Sequence, residues 1–97
     1  MFTRIGIVSK LHEPAVKDAI ESVIRVLNER GCEVCLSSES IPLDIRGDYT
    51  TSANSDLPEH CDLVISIGGD GTLLQCAGLI YPRDVALLGI NLGRLGF

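Results

Sequence analysis

Three short apolar runs constrain this chain more than anything else in it: Ile5-Gly6-Ile7-Val8, Leu63-Val64-Ile65-Ser66-Ile67 and Val85-Ala86-Leu87-Leu88-Gly89-Ile90. Runs of this length, with almost no polar alternation, suit strands covered on both faces, as in a parallel sheet. Parallel neighbours need long crossover connections, usually helices. The chain supplies them. Pro14 suits the first turn of a helix, where a missing N–H costs nothing. Val16, Ala19, Ile20, Val23, Ile24 and Leu27 follow at i, i+3, i+4, i+7, i+8 and i+11, with Lys17, Asp18, Glu21, Ser22, Arg25 and Glu29 on the other side. Gly31 stands where a left-handed residue ends a helix. Glu33-Val34-Cys35-Leu36 gives another strand.

A second helix is expected from a Thr72 cap through Leu73, Leu74, Ala77 and Leu79 to about Ile80, with Pro82 beyond it. Four strands alternating with helices predict one domain over residues 1–97, an α/β fold with a three-layer parallel sheet and helices on both faces. Residues 37–60 break the pattern. Seven Ser or Thr residues between Ser37 and Ser55, with Pro42, Gly47 and Pro58, read as a mobile polar loop with a helix-like tail at about 55–60.

Composition matters chiefly for what it excludes. Eight Lys and Arg against thirteen Asp and Glu leave a net charge of −5, with only Phe2, Tyr49, Tyr81 and Phe97 available for stacking. A nucleic-acid partner is not expected on that balance. No apolar run nears the ~20 residues that cross a bilayer. The start has no leader-like apolar stretch, so no membrane association and a cytoplasmic location are expected. Cys32-Glu33-Val34-Cys35 matches C-x-x-C, but residues three apart on a strand point to opposite faces. No second such pair accompanies it, and His12 and His60 lack metal-ligand spacing, so the four cysteines read as small buried thiols.

Two glycine-rich turns sit where the chemistry should be. Gly68-Gly69-Asp70-Gly71-Thr72 follows the third strand, and Asn91-Leu92-Gly93-Arg94-Leu95-Gly96 follows the fourth. Ligands of open α/β sheets bind beyond the carboxyl ends of the strands. Glycine lets a ligand approach main-chain N–H groups, and a helix start favours phosphate. Gly68, Gly69, Thr72 and Asn91 are therefore candidate phosphate or turn residues. Leu74 replaces the third glycine of G-x-G-x-x-G, and no G-K-[ST] follows, so neither standard nucleotide motif is present. A tight turn with Asp70 capping the next helix is the alternative reading of the same residues.

Gly68-Gly69-Asp70-Gly71-Thr72 resembles the signature shared by NAD kinases, diacylglycerol and sphingosine kinases and, with Ser for Thr, 6-phosphofructokinases. Gly89-Ile90-Asn91-Leu92-Gly93-Arg94-Leu95-Gly96-Phe97 resembles a segment of NAD kinases that lipid kinases do not carry there. The resemblance implies the N-terminal domain of an NAD kinase, without that family's β-rich C-terminal domain. It implies transfer of a phosphoryl group from ATP to the 2′-hydroxyl of NAD's adenosine ribose, giving NADP, with a divalent cation, expected to be Mg2+. It maps a proton acceptor onto Asp70 and NAD contacts onto Asp70, Gly71 and Phe97. Gln75 stands where some members have an NAD-contacting Arg. No metal ligand is assigned.

The chain stops at Phe97, inside the second motif, so the resemblance implies that the rest of the site lies outside it and that the fragment alone is inactive. At natural length the family implies a homo-oligomer, dimeric or tetrameric. Two other readings remain: a lipid or sugar kinase fragment sharing the Gly-Gly-Asp-Gly-Thr signature, and a non-catalytic flavodoxin-like binding domain.

Overall fold

A computed structural model describes residues 2–9, 14–39 and 44–92. The first strand, β1 (Arg4–Ser9), leads through α1 (Pro14–Glu29) to β2 (Glu33–Ser37). A short strand β3 (Thr50–Ser52), a single helical turn α2 (Leu57–His60), β4 (Leu63–Gly68), α3 (Asp70–Ile80) and β5 (Ala86–Asn91) complete the order. All five strands are parallel, in the order β3-β2-β1-β4-β5.

The two faces of the sheet bury alternate residues. Ile5, Ile7, Val34, Leu36, Ile65 and Ile67 pack on Val16, Ile20 and Ile24 of α1. Val8 and Val64 face the other way, onto Leu57, Cys61, Cys76 and Ile80 of α2, α3 and the turn between α2 and β4. Each such side chain contributes roughly 1.5–3 kcal/mol by leaving water. This is the three-layer arrangement the alternation predicts. Close approach has a local cause on the second face: a Cβ at Gly6 would stand 2.9 Å from Cys61 Sγ and 3.0 Å from Leu57 Cδ2. Gly31, at φ +76°, closes α1, where its N–H donates to Asn28 O and the Cys32 N–H to Leu27 O.

Two expectations need correction. The sheet has a fifth strand beyond the four expected, because β3, within the polar segment 37–60, pairs with β2 through Cys35↔Thr50 and Leu36↔Thr51, and α2 stands where the helix-like tail was expected. Ile45 is buried against α1, and Asn28 holds Asp48 from both sides, Nδ2 donating to Asp48 O and Oδ1 accepting from Asp48 N–H. The polar composition hid an edge strand, since Thr and Ser pair their main chains as well as apolar residues do. The second helix also begins at Asp70 rather than after Thr72, with Gly69 as its extended N-cap residue. Among the described residues no helix is long and apolar enough to cross a membrane.

At the amino edge, Asp62 clips β4 to β1. Its carboxylate accepts from the N–H groups of Thr3 (3.0 Å) and Arg4 (3.1 Å) and from Thr3 Oγ1 (3.3 Å). The Thr3 amide, foremost among these donors, holds the carboxyl below its ordinary value.

Candidate active site

The strand order places the glycine turn. From β1 the chain steps outward to β2 and β3, then returns to β4 on β1's other side and steps outward again to β5. The helix after β1 covers one face and the helix after β4 the other. The winding therefore reverses between β1 and β4, and open α/β sheets bind their ligands just beyond the carboxyl ends of the strands at such a reversal. Gly68-Gly69-Asp70-Gly71-Thr72 begins there.

Within the turn each residue has a separate cause. Gly68 has φ +153°, and a Cβ on it would meet Thr72 Oγ1 at 2.9 Å, so glycine is required by the turn itself. Thr72 is buried, its side chain tucked under Gly68. Gly69 and Gly71 differ: neither has a left-handed φ, and a Cβ on either would meet nothing within 4 Å. Neither conformation nor crowding requires glycine at these two positions. Their absent side chains leave the first-turn amides of α3 open, and those amides have no acceptor within the helix.

Asp70 is the first helical residue, and the start of α3 carries no side-chain capping bond. The N-cap position is taken by Gly69, not by Asp70. The carboxylate is exposed at the positive end of the helix, and its Oδ1 accepts a long hydrogen bond of 3.4 Å from Asn91 Nδ2. Asn91 reaches it because Gly68 and Asn91 are register partners in β4 and β5, with the Leu92 N–H donating to Gly68 O at 2.9 Å. The two glycine-rich turns thus meet at Asp70 and Asn91. Gly89 is explained by packing, since a Cβ there would stand 3.0 Å from Leu73 Cδ1.

A cavity of about 60 Å³ opens between Ser66, Asp70, Leu73, Gly89 and Asn91. It holds a few waters at most, so the described residues form an open wall rather than an enclosure. Larger cavities, of about 640 Å³ beside Cys32 and Tyr49 and about 270 Å³ beside Arg4 and Cys35, lie toward the amino ends of β1 and β2. They include none of the glycine-turn residues, and the carboxyl edge is where helix dipole, free amides and carboxylate converge.

Gln75 is half-buried on α3 and does not line the small cavity; its Oε1 accepts no hydrogen bond among the described residues. Phe97, with residues 93–96, lies outside the described residues. Among the described residues no three His, Cys, Asp or Glu side chains come together as a metal site. What sequence reasoning missed was the Asp70–Asn91 contact and the packing of Thr72 and Leu73. Only the strand pairing brings those residues together.

Residues 5–97 match the model of the ATP-NAD kinase N-terminal domain, both glycine turns included. The chain belongs to the ATP-NAD kinase family. It is 43% identical over 99 residues to the NAD kinase of Halorhodospira halophila, covering 99% of this chain and 32% of that protein. It is 39% identical over 94 residues to the NAD kinase of Geotalea daltonii, covering 97% of this chain and 32% of that protein. The crystal structure of yeast NADH kinase complexed with NADH shares the fold with a TM-score of 0.75 at 22% identity, over 98% of this chain and 33% of that one. The chain therefore spans about a third of the length of the ATP-NAD kinase relatives it matches.

Proposed function

We propose that the protein carrying this chain phosphorylates NAD at the 2′-hydroxyl of its adenosine ribose with ATP, giving NADP, and that this chain contributes the wall bearing the proton acceptor. The observation that carries the reading is Asp70: an uncapped, exposed carboxylate at the strand-order reversal, between two glycines that packing does not require and hydrogen-bonded to the second motif's Asn91. Phosphoryl transfer depends mostly on positioning and charge stabilisation, with one residue orienting the nucleophile. Asp70 orients the ribose hydroxyl and accepts its proton at a carboxylate oxygen. Asn91 holds that carboxylate in place, and the open amides at Gly69 and Gly71 admit the dinucleotide's phosphates. A lipid or sugar kinase accounts for residues 68–72 but not for residues 89–97.

The described residues do not by themselves make a cation cage. Mg2+ is commonly held by substrate phosphates, waters and one or two carboxylates, so the expected ion would enter with ATP. The same reading carries a homo-oligomer at natural length, a cytoplasmic site of action, and NAD contacts from Gly71, Gln75 and Phe97.

The test is Asp70→Asn in the natural-length protein. Its turnover number should fall by roughly 10²–10⁴, the usual contribution of a positioned acid or base, with NAD affinity changed far less. A variant that melts early yet forms NADP at the parent rate would show Asp70 to be structural.

A further inference from the structure

The glycine at position 6 leaves a gap on the sheet's second face, and two thiols border it. Cys61 Sγ fills the gap, 2.9 Å from where a Gly6 Cβ would stand. Cys35 is the register partner of Gly6 on the adjoining strand and packs in the same apolar cluster as Cys61. Adjacent strands lie about 4.8 Å apart, so the Cys61 sulfur, seated over Gly6, stands about one strand spacing from the Cys35 position, within reach of its side chain. Their exposure differs. Cys61 is buried, whereas Cys35 is half-buried and lines the cavity of about 270 Å³, with Arg4 and His60 on its rim.

We propose that Cys35 and Cys61 form an oxidative modification site that takes small-molecule disulfides and closes into an internal Cys35–Cys61 bond. Cys35, as thiolate, attacks one sulfur of the incoming disulfide, and the other half leaves as a thiol. Cys61 then attacks the Cys35 sulfur of the mixed disulfide and releases the second half. The two cysteines are oxidised, one disulfide is reduced to two thiols, and the two protons lost by the protein end on those thiols. Burial, then the nearby Cys35 charge, pushes the Cys61 thiol up to about 12, which makes Cys61 the second sulfur to react and its step the slow one. The bond would enclose β3 and α2 in a covalent loop while leaving Asp70 untouched.

Oxidised glutathione is the probe, applied to the natural-length folded protein, followed by acid quench, alkylation and non-reducing peptide mapping. A linked pair of peptides containing Cys35 and Cys61 is expected. In Cys61→Ala the reaction should stop at a glutathione adduct on Cys35, at least tenfold more abundant than in the parent, and Cys35→Ser should give neither product. Cys76→Ser should leave the linked pair unchanged. A Cys61–Cys76 or Cys32–Cys35 pair, an adduct confined to Cys32, or no reaction before unfolding would overturn the proposal. The parent map alone decides this if a variant fails to fold.

Discussion

A methyl group added at Gly68 would stand 2.9 Å from Thr72 Oγ1 on a backbone at φ +153°, whereas one added at Gly71 would touch nothing within 4 Å. The two substitutions should therefore act in opposite directions. Gly68→Ala is expected to cost more than ~1 kcal/mol of stability, through strain and the displaced Thr72. Gly71→Ala should gain about 0.5–1 kcal/mol, because alanine suits a helix better than glycine. Yet Gly71→Ala should raise the KM for NAD roughly tenfold, the effect of losing ~1.4 kcal/mol of binding. Thermal melts and steady-state kinetics on the same two proteins check both; Gly71→Ala with unchanged KM would remove the residue from the site. Asp62 gives a pH signature at the opposite edge. Its carboxyl is held low by the Thr3 and Arg4 amides, so its contribution is present above the ordinary carboxylate value of about 4 and is lost as the pH falls through and below it. Asp62→Asn should flatten the acid limb of a stability–pH curve measured by chemical denaturation; an unchanged limb would show the clip to be inert.

Among the elements, α3 is the one whose sequence fits its surroundings least. Leu74 is 72% exposed and Tyr81, just past the helix end, 80% exposed, and Gly71, Ala77 and Gly78 are exposed along the helix. A helix apolar on most sides is normally covered on most sides. The 97-residue chain alone should therefore self-associate, and Leu74→Glu should shift it toward monomer in sedimentation velocity. The segment before β4 behaves differently. Asn28 grips Asp48, Glu21 Oε2 accepts from the Arg46 N–H at 2.9 Å, and Tyr49 Oη donates to Ile45 O at 3.1 Å. These bonds lie near the surface and β3 is a three-residue edge, so amides 44–52 should exchange hydrogen well before those of 63–67. Equal protection would mean a firmer attachment than these bonds supply. The attachment was not legible in the sequence because Glu21 and Asn28 lie outside the apolar stripe of α1, where polar residues read as solvated. The apolar stripe and the runs of β1 and β4 were legible because burial leaves so little choice of residue. The third run, in β5, is not covered on both faces as expected, for β5 is an edge strand with Leu88 exposed.

At the scale of the whole molecule, the position of the glycine turn could be read from sequence, but its partner could not. Asp70 and Asn91 are 21 residues apart and become neighbours only through the β4–β5 pairing. That pairing makes the site sensitive to length as well as to residue type. One residue inserted within β5 would carry Asn91 about 3.3 Å further along the strand and turn it to the opposite face. One inserted at 83–84, before β5, would only lengthen a connection, and lengthening a loop costs little. Two proteins of identical composition and nearly equal stability should then differ sharply in NADP formation. The placement of a single glycine, before the strand or within it, would decide which of them keeps Asp70 paired to Asn91.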